Sequence, residues 1–207
     1  MIKAKTNNIT PFLLKVLIIY IIFFVKVYAI ENKNEGNFVV LGDSNAPVKI
    51  KIFSSLTCPH CANFHIEVIP KIIENYVNTG SVQLIFIDFP LDQAAFNASK
   101  LLNCIDQKNQ MKFKDIIYED QKKWTNGTDL DEINNNLKKI VKNLGIGSNQ
   151  FKKCLNSNAI SDRILNGRID AQKKYSINST PTIVINEKKL DKNANFKNIK
   201  KKIDKLI

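Results

Sequence analysis

The stretch "SSLTCPHCANFH", residues 54 to 65, carries two cysteines separated by Pro59 and His60. At this spacing Cys58 and Cys61 can supply half of a tetrahedral metal site, or they can cycle between dithiol and disulfide. A structural zinc site needs a second Cys or His pair at similar spacing. The other cysteines, Cys104 and Cys154, stand fifty residues apart with no close partner. His65 lies four residues after Cys61, but one helix cannot bring Cys58, Cys61 and His65 onto one ion without unwinding. No metal is expected. The redox alternative has a mechanism. If a helix starts at Cys58, the free N–H groups of its first turn, around His60 and Cys61, point at the Cys58 sulfur. They favour the thiolate, the form that attacks a disulfide. A protonated His60 adds another donor. Cys61, one turn in and less exposed, is the expected resolving thiol.

The surrounding elements must place that turn. "NFVVL" (37–41) reads as a short strand, and "VKIKIF" (48–53) alternates as a strand with one face covered. Cys58 follows. The apolar spacing Phe64, Val68, Ile69, Ile72, Ile73, Tyr76 reads as one helix, stopped by Gly80. "VQLIFIDF" (82–89) is a second strand, closed by Pro90. From Leu91 to about Tyr175 every segment has helical spacing, with Thr128 and Ser148 as candidate N-caps. The β signal returns at "TIVIN" (182–186), after "STP". In the last helix Phe196, Ile199, Ile203 and Leu206 share one face, read as core. The order is strand–helix–strand, helical block, strand–strand–helix. This is an α/β sheet domain interrupted by helices.

The N-terminus has a different character. Lys3 and Lys5 precede the unbroken apolar run Val16 to Val25, and "KVYA" ends at Ala29. This reads as a secretory signal peptide cleaved after Ala29. The chain holds 31 Lys and Arg against 19 Asp and Glu, a net +12. Four of those lysines lie in the leader, so the rest carries 27 against 19, a net of +8. Only Arg163 and Arg168 are arginines, and no nucleic-acid motif accompanies the charge. The lysines read as a solvated face, and no nucleic-acid partner is expected. All four cysteines lie in the exported part. An even count in an oxidising compartment favours two pairs. Cys104 and Cys154 are the expected second disulfide, with two unpaired buried thiols as the alternative.

Together these residues resemble the DsbA family of thiol–disulfide oxidoreductases. The match rests on "APVKIKIFSSLTCPHCANFH", "DFPLD" (88–92), "KFKDIIYEDQKKW" (112–124), "FKKCL" (151–155) and "STPTIVIN" (179–186). The resemblance implies a thioredoxin fold with an all-helical domain inserted between strands. The expected division is a signal peptide at 1–29, a discontinuous thioredoxin-like domain at 30–91 and 158–207, and the inserted helices at 92–157. It also implies that Pro181 is cis and stands beside Cys58, and that Thr180 offers its backbone to an extended substrate. Cys58, Cys61 and His60 would be catalytic, with Thr180 and Pro181 binding substrate. No cofactor is implied. The implied partners are reduced exported proteins in the periplasm and a DsbB-like, quinone-linked membrane protein that reoxidises a monomeric enzyme. Alternatives are a monomeric isomerase or reductase on the same fold, or a non-enzymatic metal-binding protein. The chain departs from the family at Ile52, where members often carry a buried acid that relays a proton.

Overall fold

The computed structural model describes residues 38–207. The expected leader and its cleavage point lie outside the described residues. Five strands form one mixed sheet: β1 (Val39–Leu41), β2 (Val48–Ser54), β3 (Val82–Asp88), β4 (Thr182–Ile185) and β5 (Lys188–Lys189), in the order β1-β3-β2-β4-β5. β2 and β3 run parallel, with Ile50 opposite Leu84 and Ser54 opposite Asp88. β4 is antiparallel to β2 and sets Ile183 opposite Ile52. A parallel pair cannot be joined by a hairpin. The helical crossover after Cys58 follows from that constraint.

The alternation of "VKIKIF" sorts its side chains by face. Val48, Ile50 and Ile52 join the main core, while Phe53 joins Ile87, Phe89, Ala171, Ile177 and Val184 on the other side. The end of β2 is therefore covered on both faces, not one. Lys51 shares the second face and escapes the apolar cluster by reaching the Tyr175 hydroxyl, 3.0 Å away, and the Glu187 carboxylate.

The crossover is not the single helix that its apolar spacing suggests. It is α1 (Pro59–Glu67), α2 (Ile69–Ile72) and a π-helical turn at Ile73–Val77. Pro70 has no N–H to continue the ladder, so α1 ends at Glu67 and α2 opens at Ile69 with Pro70 in its first turn. The buried faces survive the break, since Phe64, Ile69, Ile72 and Tyr76 all reach the core.

Between β3 and β4 stand α3 (Gln93–Cys104), α4 (Gln107–Glu119), α5 (Gln121–Trp124), α6 (Leu130–Lys142), α7 (Ser148–Leu155) and α8 (Asn158–Tyr175). α9 (Phe196–Ile203) closes the chain. Two expected caps shift by one residue. Asp129, not Thr128, caps α6: its carboxylate accepts the Glu132 N–H at 2.9 Å, and Glu132 reaches back to accept the Thr128 N–H. A carboxylate at the N-cap also meets the positive helix end. Gly147 caps α7, which puts Ser148 inside the helix. On α9, Ile199 and Ile203 are fully buried, but Leu206 lies past the helix end and is exposed.

One core runs from the sheet into the helices and includes Ile52, Phe113, Ile117, Trp124, Leu137 and Val141. The Trp124 indole N–H donates to the Ile117 carbonyl at 2.8 Å, so its ring is buried with its polar atom satisfied. Cys104, at the end of α3, is bonded to Cys154 on α7, with Cα atoms 6.1 Å apart. That bond closes a loop of fifty residues. Replacing both cysteines with alanine should lower stability in urea unfolding by up to about 4 kcal/mol, the chain-entropy limit for a loop of this length. An unchanged midpoint would show that the bond constrains little.

Candidate active site

Cys58 sits where β2 has ended and α1 begins. It is the N-cap, in extended conformation at φ −77° and ψ 119°, and Pro59 follows as the first helical residue. Proline fits that position because its missing N–H has no helical partner to lose. The turn leaves the backbone N–H groups of His60 and Cys61 facing the Cys58 sulfur. Cys58 is 9 % exposed and Cys61 only 1 %. Neither is bonded to another cysteine in this structure.

The two sulfurs are tuned in opposite directions. The Cys58 thiol is lowered to about 5. The chief cause is the hydrogen bond from the Cys61 thiol, opposed by burial and helped by the Thr180 side chain and the N–H groups of Cys61 and His60. The Cys61 thiol is pushed far up, first because its proton is shared with Cys58 and second because it is buried. One sulfur is therefore a ready nucleophile and the other a held thiol.

The Thr180–Pro181 peptide bond is cis. It brings the Thr180 carbonyl oxygen to 3.4 Å from Cys58 Sγ, where the protonated thiol donates to it. The Thr180 hydroxyl is buried with no hydrogen-bond partner besides the cysteine sulfurs it faces. A thiolate can take its hydrogen. The structure thus brings Cys58, Cys61, Thr180 and Pro181 together. The His60 side chain is exposed, and what faces Cys58 from that residue is its backbone N–H. His60 and Pro181 border a groove of about 800 Å³ that Phe64, Glu67, Ile183 and Leu190 also line.

The helices after β3 hold the cysteine loop from two sides, which sequence reasoning missed. The Gln121 amide on α5 is buried and donates to the Leu56 carbonyl at 2.9 Å and the Cys58 carbonyl at 3.2 Å. Asp92, the N-cap of α3, accepts the Ala95 N–H at 2.8 Å with one oxygen and the Thr57 hydroxyl at 2.5 Å with the other. No local pattern marks Gln121 beyond its place in "EDQKKW", since its partners lie more than sixty residues earlier.

Ile52 lies in the core beneath, opposite Phe86 and Ile183 on the neighbouring strands. The ionisable groups near the pair come from elsewhere. Lys114 is fully buried, with Nζ 3.7 Å from Asp88 Oδ1. Tyr118 is buried above the Lys114 ammonium, and His65 bonds the Asp115 carboxylate at 2.7 Å. Among the described residues no three His, Cys, Asp or Glu side chains are grouped to hold a metal ion, and no helix is long and apolar enough to cross a membrane.

Replacing Gln121 with alanine should destabilise the fold by about 1–3 kcal/mol, because the buried Leu56 carbonyl loses its side-chain donor. It should also slow alkylation of Cys58 by loosening the loop that presents it. Equal alkylation rates in the variant and the natural protein would show that the loop is held without Gln121.

The comparisons agree with this geometry. A family model described as thioredoxin matches residues 33–205. A probable disulfide bond formation protein D of Bacillus anthracis is 33 % identical over 86 % of this chain and 87 % of its own length. A putative protein-disulfide oxidoreductase of Rickettsia bellii is 26 % identical over 88 % of this chain and 70 % of its own. The crystal structure of Wolbachia pipientis α-DsbA1 superposes with a TM-score of 0.73 at 31 % identity, covering 84 % of this chain and 93 % of that one. The curated relatives are named for disulfide chemistry, and the solved structure shares the fold. The chain belongs to the thioredoxin family and is a DsbA-like thiol–disulfide oxidoreductase.

Proposed function

We propose that this oxidoreductase works as a dithiol oxidase on exported proteins, donating a Cys58–Cys61 disulfide to them. The observation that carries this reading is the depressed Cys58 thiol beside the raised Cys61 thiol. Stabilising the thiolate stabilises the reduced protein against the disulfide, and a disulfide whose reduced form is favoured gives its oxidising equivalents away. A substrate thiolate attacks Cys58 Sγ, the Cys58–Cys61 bond breaks, and Cys61 leaves and is protonated. A second substrate thiolate attacks the substrate sulfur of the mixed disulfide and releases Cys58 as thiolate. Two electrons pass from substrate to enzyme. The groove beside Pro181, and the Thr180 backbone that borders it, suit an extended segment of unfolded chain. The leader expected at 1–29 supports export to the periplasm. Each turnover then needs an oxidant, and a DsbB-like membrane protein linked to quinone fits that need, with the enzyme acting as a monomer.

The reduction potential against glutathione tests the direction. The sign follows from the shift. Cys58 ionises at about 5 in the fold against an ordinary value of 9, so the advantage of the reduced form is complete above 9 and is lost as the pH falls through 5. Between those limits reduction takes up one proton, so the potential should fall by about 30 mV per pH unit, steepening to about 60 mV below pH 5. A potential as reducing as that of thioredoxin would refute the oxidase reading. Alkylation of reduced Cys58 should likewise be half-maximal near pH 5.

The two cysteines should also separate by genetics. Cys58→Ser should abolish disulfide transfer to a reduced test protein, while Cys61→Ser should accumulate mixed disulfides through Cys58. Mixed disulfides through Cys61 in the Cys58→Ser protein would reverse the assignment.

A further inference from the structure

The lysines do not form an even solvated face. Residues 188–207 hold eight lysines and two aspartates, which is +6 of the net +8 carried by residues 30–207. Six of those eight line one concave cavity of about 290 Å³: Lys188 and Lys189 from β5, Lys192 from the loop that follows, Lys201 and Lys202 from α9, and Lys205 just past its end. Ile185 and Leu190 also line it, and Asp191 is its one acid among the described residues. Lys189 donates to the Ser176 carbonyl at 3.2 Å. The other five ammonium groups make no ion pair and no hydrogen bond among the described residues. Like charges held together repel one another and weaken the fold that carries them. An anion seated among them relieves that repulsion.

The cavity adjoins the groove beside Pro181: Lys189, Leu190, Asp191 and Lys192 line both. In the groove itself two acids, Glu67 and Asp191, offset two lysines, Lys189 and Lys192. The positive charge therefore lies beyond it, away from the cysteines. β5 sets Lys189 opposite Val184 and Lys188 opposite Ile185 on β4. At about 3.4 Å per residue, these positions stand about 10 and 14 Å along the strand from Pro181. An extended substrate covers that span in three or four residues. We propose that the basic cavity binds carboxylate side chains of the substrate, so that the enzyme favours cysteines flanked by acidic residues three to five positions away. The inference rests on the reading of the groove as the seat of an extended substrate, and adds the chemical class of that substrate. The wall shared with the groove favours a carboxylate on the substrate over a phosphate on a lipid. Lysine suits the task, because its ammonium is a point charge on a flexible stem and lacks the planar fork of arginine. Such a site reads charge without fixing one carboxylate orientation, and so serves many different chains.

The test mixes reduced protein with short peptides whose single cysteine is joined to the coloured half of Ellman's reagent. The Cys58 thiolate bonds to the peptide sulfur, the peptide–reagent disulfide breaks, and the coloured half leaves as thiolate. This step reports on recognition whichever way electrons flow in the cell, so it is independent of the oxidase reading. Three peptides differ only in their flanks: glutamates three to five positions from the cysteine on both sides, glutamates directly beside it, or serine throughout. At low salt the distal-glutamate peptide should react about tenfold faster than the serine peptide, the lower end of electrostatic steering. Glutamates beside the cysteine should give no gain. The distal advantage should disappear in about 0.5 M salt, where exposed charges are screened. It should also disappear in Lys188→Gln/Lys201→Gln/Lys205→Gln, which removes three exposed lysines that lie outside the groove. Equal rates for the distal-glutamate and serine peptides would overturn the proposal. So would a gain of the same size at either placement, or one that persists in the triple variant. Capture of the natural protein, and not of the triple variant, by phosphatidylglycerol vesicles, with no peptide preference, would overturn it in favour of a membrane surface. Absence of coloured release from every peptide would sink Cys58 as the nucleophile, and this inference with it.

Discussion

One hydrogen between two sulfurs governs this molecule. The Cys61 thiol donates it to Cys58, which draws the first sulfur down to about 5 and drives the second up. The rest of the site serves to keep those two atoms at that separation and in that asymmetry. The helix start orients two further N–H groups, the cis Thr180–Pro181 turn closes the other side, and burial one turn into α1 keeps Cys61 from sharing its proton with water. A Cys-x-x-Cys pair on a loose loop would have the same atoms and little of this bias.

Holding the loop is the work of elements far away in sequence. β2 delivers the chain to Ser54, and Asp92 and Gln121 then fix the residues between strand and helix. The single apolar core that runs from Ile52 to Trp124 gives both anchors a rigid base. The acidic and basic groups near the pair obey the same logic. They are positioned by the ends of β3 and by α4, and not by the strand that carries the cysteines.

What could be read from the chain follows the range of the interactions. The redox pair, its helix start and the strands around it are written within a few residues of one another, so spacing and alternation expose them. Thr180 and Pro181 became legible only through likeness to a family, because nothing in "STP" states that it returns to Cys58. Gln121 and the Asp88–Lys114 pair were not legible, since each acts across a fold that local pattern does not specify. Two misreadings were local. The apolar spacing of residues 64 to 76 continued through Pro70 and concealed the break that proline imposes. At 128–129 two good caps stood side by side, and the cap falls on Asp129, where the Glu132 carboxylate can turn back to accept the Thr128 N–H.

The grip of Gln121 and Asp92 also bears on modularity. A segment inserted into a sheet domain is usually pictured as removable, a passenger that can be cut out to recover an older, smaller protein. Here excision of the helices would strip the Leu56 carbonyl and the Thr57 hydroxyl of their partners and, by removing Phe113 and Trp124, uncover the core around Ile52 and Leu56. A minimal sheet domain built from the flanking strands would keep both cysteines and lose the frame that makes them unequal. The sheet and the helices between β3 and β4 act as one functional unit, and exchange between relatives should transfer them together.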